Sequence, residues 1–455
     1  MTGPHPPRID RSRLAELHAE ESARFEQLHP RSAAHAERAA RSLLGGVPMA
    51  WMTRWPGRFP VVAARAAGAH ITDVDGNDLV DLCLGDTGAM TGHALDPIAA
   101  AVAEQARRGI TTMLPAEDAA WVAEELARRF GLPRWQTAMT ATDANRFVLR
   151  FARHLTGRPK VLVFDGCYHG TVDEALAVLD GGRTVARPGS IGPAVDPSLT
   201  TVVVPFNDVA ALEAALSNGD VACVLAEPAL TNIGIVLPEP GFHDALREAC
   251  TRTGTLLVLD ETHTVCCGPG GATRAWALAP DLLVIGKPIG GGVPAAAYGA
   301  SEEVAERLEP LLRDAGVDVS GIGGTLTGNA LSIAAMKATL SSCLRDEDFA
   351  VATPLAAAFA DGVRSVIEAH GLPWHVQQLG CRAEYWFCPP PRDGASAAAG
   401  LDPELDAFMH LWALNRGVLL TPFHNMALFS PHHTRADVDR HTEVFASAVD
   451  ALSPT

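Results

Sequence analysis

Asp281-Leu-Leu-Val-Ile-Gly-Lys287, followed by Pro288-Ile-Gly-Gly-Gly-Val-Pro294, decides the fold. A second run of the same kind, Thr255-Leu-Leu-Val-Leu-Asp260-Glu261, precedes it. Unbroken aliphatic runs without polar alternation are expected of strands buried on both faces, as in parallel sheets. Each run ends on one charged residue. In an open α/β sheet, ligands bind outside the carboxyl ends of the strands, which is where Asp260 and Lys287 fall.

Working outward, further short apolar runs stand at 161–164, 201–204 and 221–226, and the two runs above give strands at 255–259 and 282–285. Helical stretches at 207–217 and 241–253 separate them. Strand and helix alternate from residue 95 to about 335. That alternation predicts a mostly parallel central sheet with helices on both faces. A helical stretch at 328–345 leads into a smaller α+β C-terminal part. At the other end, residues 1–9 are Pro-rich and expected to be disordered, and residues 10–44 read as one or two helices around Pro30. Residues 69–82 alternate about Asp75-Gly76-Asn77, a hairpin signal. The expected division is an N-terminal helical segment and pocket loop (1–75), a large domain (76–335) and a small domain (336–455).

Composition excludes several classes. The 455 residues carry 36 basic and 53 acidic side chains, a formal charge of −17, which opposes nucleic-acid binding. Hydrophobic residues make up 47% and charged residues 20%, as in a globular enzyme. There is no run of 18 apolar residues and no apolar signal core, so neither membrane insertion nor export is expected. Nine scattered cysteines without a CxxC fit a reducing cytoplasm. Cys266 and Cys267 are too close for an ordinary bridge. His5, His18, His29 and His35 lack ligand spacing, and no metal is expected.

An amine and a carboxylate at neighbouring strand ends are the pair that pyridoxal 5′-phosphate requires. The amine forms a Schiff base, and the acid keeps the pyridine nitrogen protonated. Either residue alone would read as a solvated strand end or a helix cap. The weight comes from the ordered company they keep: Phe164-Asp-Gly-Cys-Tyr168-His169-Gly170, Glu227-Pro228 with Gly234, Pro238-Glu-Pro-Gly-Phe242, Leu259-Asp260-Glu261, Ile285-Gly-Lys287 with Gly290-Gly-Gly292, and Gly324-Thr325-Leu-Thr-Gly-Asn329. On these motifs the chain resembles the class III, fold type I, pyridoxal-phosphate aminotransferases. The likeness is to the branch of glutamate-1-semialdehyde aminomutases and related β-amino-acid transaminases, over roughly residues 40 to 450.

The resemblance implies roles. Lys287 would form the Schiff base and move the proton, Asp260 would hold the pyridine nitrogen, and Tyr168 would stack on the ring. Thr140, Ala141 and Thr142, ahead of a helix, would form the phosphate cup, since helix N-termini favour oxyanions. The family's Ser-Gly-Thr-Glu-Ala reads Thr140-Ala-Thr-Asp-Ala144 here, so a Cβ stands where glycine is expected and requires a negative φ. The alternative is a plain helix cap over Thr140–Asp143. His169 reads as structural or catalytic, and Glu261 as a supporting or helix-start group. Thr325 resembles a residue that reaches a partner's phosphate, which implies a homodimer with shared active sites.

On the substrate side, Trp51 and Arg54 lie in the expected pocket loop, and His424 with Asn425 stands where some relatives carry an arginine. A carboxylate favours a bidentate arginine, with Arg54 first and Arg58, Arg65 and Arg382 as alternatives. His263 is unusual for the family and is read as a local specificity feature. The leading reaction is amino transfer between an amino donor and a keto acceptor. An aminomutase or racemase on the same scaffold, or a non-catalytic binding protein with this fold, are the alternatives.

Overall fold

The apolar runs all belong to one seven-stranded sheet of the computed structural model, which describes residues 9–192 and 195–453. Except for Ile9, the Pro-rich start expected to be disordered lies outside the described residues, as does His5. In chain order the strands are β1 (Arg134–Ala138), β2 (Lys160–Phe164), β3 (Thr201–Val204), β4 (Val221–Ala226), β5 (Leu256–Asp260), β6 (Leu282–Ile285) and β7 (Ala296–Ala300). The sheet order is β1-β7-β6-β5-β4-β2-β3. Pairings among β2 to β6 are parallel, and β7 runs antiparallel to both β6 and β1. This is an α/β fold with a mostly parallel sheet.

β4, β5 and β6 are buried at every residue, which is why their sequences never alternate. Phe147, Val148 and Phe151 of helix Ala141–Thr156 join the same core, as do Leu212, Leu216, Phe242 and Leu246 from the helices between strands. β5 and β6 are neighbours in parallel register, with Asp260 opposite Val284. The chain segments leaving these two strands therefore start side by side.

The contacts divide the chain into two units: residues 96–346 with 391–399, and residues 1–95 with 347–390 and 400–455. This differs from the three-part division expected at 75 and 335. In the second unit, helices Arg11–Leu28 and Pro30–Ala39 break at Pro30, and Phe25 is buried with Leu79, Leu411 and Leu414. The hairpin His70–Asp73 / Asp78–Asp81 turns at Gly76 (φ 95°), and Val418–Leu419 adds to it in parallel. Both chain ends are thus built into one unit by long-range pairing. A second sheet there has the order His375–Leu379, Arg382–Trp386, Met426–Leu428. Among the described residues, only helix Asp346–Ala369 is long and apolar enough to cross a membrane. Its buried Phe349, Ala356, Phe359 and Val363 mark it as a core helix.

Candidate active site

Asp260 closes β5 and is 4% exposed. Its Oδ2 accepts from Asn145 Nδ2 at 2.8 Å and from His169 Nδ1 at 3.0 Å, and its Oδ1 accepts from the Thr262 amide at 3.1 Å. Burial alone would push this carboxyl up. His169, with Thr262 and Asn145, outweighs it and holds the group ionised, well below the usual carboxylate range. Burial likewise opposes a charged His169, but Cys167 and the Asp260 carboxylate outweigh it and raise its pKa. A buried, hydrogen-bonded His169–Asp260 pair therefore stands at the end of the central strand. His169 is bonded to Asp260, so its part is to orient and charge that carboxylate.

Asn145 was not singled out by the sequence reading. It sits on the buried face of helix Ala141–Thr156 with Val148, Leu149 and Ala152, and also donates to the His169 carbonyl at 3.2 Å. A buried amide on an otherwise apolar face was the available signal.

Lys287 follows β6 and is half-buried. Its φ of 49° lies in the left-handed region, which costs a non-glycine residue about 1–2 kcal/mol. Its Nζ lies within hydrogen-bond distance of His263 Nε2, at 2.9 Å. His263 leads into the turn Thr264–Cys267, a few residues beyond β5.

The helix Ala141–Thr156 starts next to this centre. Its Ncap Thr140 is committed to the cap: Oγ1 accepts from the Asp143 amide at 3.1 Å and donates to Asp143 Oδ2 at 3.1 Å. The first-turn amides of Ala141 and Thr142 have no helical acceptor. Thr142 Oγ1 accepts from the Thr171 amide at 3.1 Å, which leaves its own proton to donate. Ala141 is helical, and its methyl is accommodated because Gly286 lies opposite: a Cβ on Gly286 would come within 2.9 Å of the Ala141 Cβ. Gly170 (φ 77°) likewise leaves room for Thr142. Two free amides and a hydroxyl at a helix N-terminus fit a phosphate, and an ionised, buried Asp260 fits a protonated ring nitrogen.

Tyr168 is tied by its backbone: its amide donates to Glu227 Oε1 at 3.2 Å, while Glu227 Oε2 accepts from the amide of Thr231 at 3.1 Å and from its hydroxyl. Glu261 is fully buried and accepts from the Thr264 hydroxyl at 2.6 Å, the Ala272 amide at 3.2 Å and the Thr273 amide, a supporting arrangement. Thr325 is exposed, beside Leu326, and borders a cavity of about 570 Å³ that Met113, Leu114, Thr137 and Asn329 also line.

The substrate candidates lie in the other unit. Trp51 is 41% exposed and packs edge-on against Phe423, with centroids 5.6 Å apart. Arg54 is exposed at the end of the same short turn and has no side-chain partner among the described residues. Arg58 pairs with Glu26 at 3.3 Å, and Arg65 Nε donates to Thr72 Oγ1 at 3.3 Å. His424 Nδ1 lies 3.1 Å from Glu384 Oε1, and Arg382 is buried against Glu384 Oε2 at 3.1 Å. Those partners occupy Arg58, Arg65 and Arg382, which favours Arg54 among the arginines.

The sequence profile described as Aminotransferase class-III matches residues 51–448. The chain belongs to the class III aminotransferase family. A glutamate-1-semialdehyde 2,1-aminomutase of Opitutus terrae is 36% identical over 436 residues, 94% of this chain and 98% of that protein. The crystal structure of a glutamate-1-semialdehyde aminomutase from Pseudomonas aeruginosa PAO1 is 48% identical with a TM-score of 0.96, covering 98% of this chain and 99% of that one. A lysine-to-alanine variant of it was solved in complex with PMP. An omega-transaminase from Sphaerobacter thermophilus is 29% identical with a TM-score of 0.85, covering 92% and 97%. As a class III family member the chain is an enzyme, and its cofactor is pyridoxal 5′-phosphate.

Proposed function

We propose that this class III enzyme is an aminomutase, moving an amino group between adjacent carbons of a single small carboxylate substrate of the glutamate-1-semialdehyde kind. The observation that carries this reading is the end-to-end likeness, at 48% identity, to a protein described by that activity. The intermolecular transfer between amino donor and keto acceptor, favoured by the motifs alone, is the second reading. The likeness to the omega-transaminase supports it.

When bound, pyridoxal phosphate supplies a carbonyl that condenses with amines and a protonated ring that withdraws electrons from the adjacent carbon. The chain's part follows from its residues. Asp260, kept ionised by His169 and Asn145, holds the ring nitrogen's proton in place. Lys287 would take the proton from the carbon bearing the amine and hand it, across the nitrogen, to the carbon of the cofactor's carbonyl. The amides of Ala141 and Thr142, with the Thr142 hydroxyl, hold the phosphate. Tyr168 is the ring's stacking partner, and Thr140 supports the cup as its cap. Arg54 is the partner of the substrate carboxylate, with Trp51 and His424 contributing to specificity.

The same reading includes a homodimer. Met113, Leu114 and Leu326 are 75%, 74% and 55% exposed in the loops that carry or adjoin the Thr325 cavity, an apolar cluster suited to a second copy. Thr325 would then serve the partner's phosphate.

The test is a one-substrate assay. Loaded enzyme is given glutamate-1-semialdehyde without any amino acceptor, and formation of the isomeric amino ketone is followed. Conversion without an acceptor supports the mutase. Conversion only after a keto acid is added, with stoichiometric amino acid formed, returns the chain to intermolecular transfer.

A further inference from the structure

The turn that carries Tyr168 and His169 is held by side chains from the helix Ala141–Thr156 and from the loop after β4. Asn232 Nδ2 donates to the Gly166 carbonyl at 3.2 Å, Asn145 Nδ2 donates to the His169 carbonyl at 3.2 Å, and the Thr171 amide donates to Thr142 Oγ1 at 3.1 Å. Between them the Tyr168 amide donates to Glu227 Oε1 at 3.2 Å. Of these four partners, Glu227 alone is a carboxyl group.

Glu227 is the first residue beyond β4 and is 3% exposed. β2 and β4 are neighbours in parallel register, so the loops leaving Phe164 and Ala226 start side by side. Glu227 spans the two. Its Oε1 takes the Tyr168 amide in one loop, and its Oε2 takes the Thr231 amide at 3.1 Å and the Thr231 hydroxyl in the other. Burial disfavours the charged form and pushes this carboxyl above the usual carboxylate range. An apolar side chain would fill the same space without that penalty, so the bonds, not the filling, distinguish the position. The bond to Tyr168 survives either protonation state, because a proton on Oε2 can be taken by the Thr231 hydroxyl while Oε1 keeps its lone pairs.

We propose that Glu227 is a positioning residue for the cofactor: by holding the Tyr168 amide it sets the height and tilt of the side chain that stacks on the pyridine ring. It acts through Tyr168, and the inference rests on the reading that Tyr168 is the stacking partner.

The experiment measures cofactor Kd by fluorescence titration of the full-length, cofactor-free protein. Tyr168→Ala is expected to weaken binding about three- to tenfold, the span of one aromatic stacking contact. Glu227→Asp withdraws the acceptor by one C–C bond, about 1.5 Å, which takes it out of reach of the Tyr168 amide. It is expected to weaken binding about threefold or more, and no further than Tyr168→Ala, because the ring can lose no more than its whole contact. In the Tyr168→Ala background the same change is expected to alter Kd less than about twofold. Glu227→Gln keeps an acceptor at the original reach and is expected to stay within about twofold of native.

An unchanged Kd in Glu227→Asp, or an equal loss with and without the Tyr168 ring, overturns the proposal and leaves Tyr168 as the stacking partner. An unchanged Kd in Tyr168→Ala removes the stacking reading and the proposal with it. Hydrogen exchange of the Tyr168 amide, read by mass spectrometry on peptides spanning 164–171, is compared between native protein and Glu227→Gln, and it decides the matter if the Asp variant does not fold. Amide protection and affinity kept together, or lost together, support the proposal. One lost without the other overturns it.

Discussion

Replacing His169 by leucine separates the two counter-charges that Asp260 can have. In the cofactor-free protein the Asp260 carboxylate, 4% exposed, would keep the Asn145 and Thr262 donors and lose its only cation among the described hydrogen bonds, 3.0 Å away. At an effective dielectric of about 20, that distance corresponds to roughly 5 kcal/mol of attraction. Removing one partner of a buried pair costs about 3–5 kcal/mol in practice. At about 2–4 °C per kcal/mol for a unit of this size, the Tm of the cofactor-free variant should fall by roughly 10 °C.

In the loaded protein the ring nitrogen's proton stands in for the imidazolium, so the loss should be half of that or less. By linkage the variant then binds cofactor more tightly than native protein, by about tenfold or more. Scanning calorimetry of both forms, with cofactor Kd by fluorescence titration, checks this.

The pH dependence has a sign. Asp260 is depressed, so its contribution is present above the ordinary carboxylate pKa and lost as pH falls through the lowered one. His169 is raised, so its contribution is full below the free imidazole's pKa and fades as pH climbs toward the raised one. The native-minus-variant gap should therefore be widest near pH 5–6 and narrow by pH 9–10. An equal Tm drop in both forms would refute Asp260 as the ring's partner, and no drop in either would mean the pair is not ionised.

Lys287→Ala should abolish turnover and borohydride fixation of the cofactor, with the Tm of the cofactor-free form within a few degrees of native. Measurable multiple turnover without added amine would contradict its role. Asp260→Asn should lower kcat by roughly 100-fold or more, the scale of losing a preorganised charge at the reacting centre, and steady-state kinetics read it. Gly170→Ala puts a side chain at φ 77° against the Thr142 hydroxyl, 3.0 Å from its Cβ. A loss of about 2–4 kcal/mol in stability and a weaker cofactor Kd are expected, with calorimetry and titration as the checks. Arg54→Ala should raise KM for the carboxylate substrate about tenfold or more with kcat nearly unchanged, and an unaltered KM would remove Arg54 from the substrate's partners.

Legibility in the sequence followed burial. β2 to β6 were readable because residues buried on both faces leave unbroken apolar runs. β1, Arg-Trp-Gln-Thr-Ala, is half-exposed and mostly polar, while β7, Ala-Ala-Tyr-Gly-Ala, is short of β-branched residues, so neither announced itself. Lys287 and Asp260 could be named as strand ends before any contact was known. The Asp260 triangle could not be, since its other corners come from a helix and from the loop after β2. The alanine that departs from the family's phosphate motif looked like an obstruction, and the space that admits it lies across the fold at Gly286, where sequence order gives no hint. The division into units was equally hidden, because a two-residue strand near the end of the chain pairs with a hairpin near its start.

That last pairing imposes an order on synthesis. Phe25 and Leu79 emerge early, yet the leucines that bury them, Leu411 and Leu414, are among the last residues made. At about 5–20 residues per second, the first helix waits roughly 20–80 s for its packing partners. The segment 96–346 is finished long before, and of its unit only residues 391–399 remain to come. A nascent chain therefore carries a core ready to close and an amphipathic leader that must be kept from other surfaces. A chain cut off before Leu411 would leave the Phe25 cluster open on its C-terminal side, a hydrophobic mark of incompleteness that holding chaperones and proteases can read.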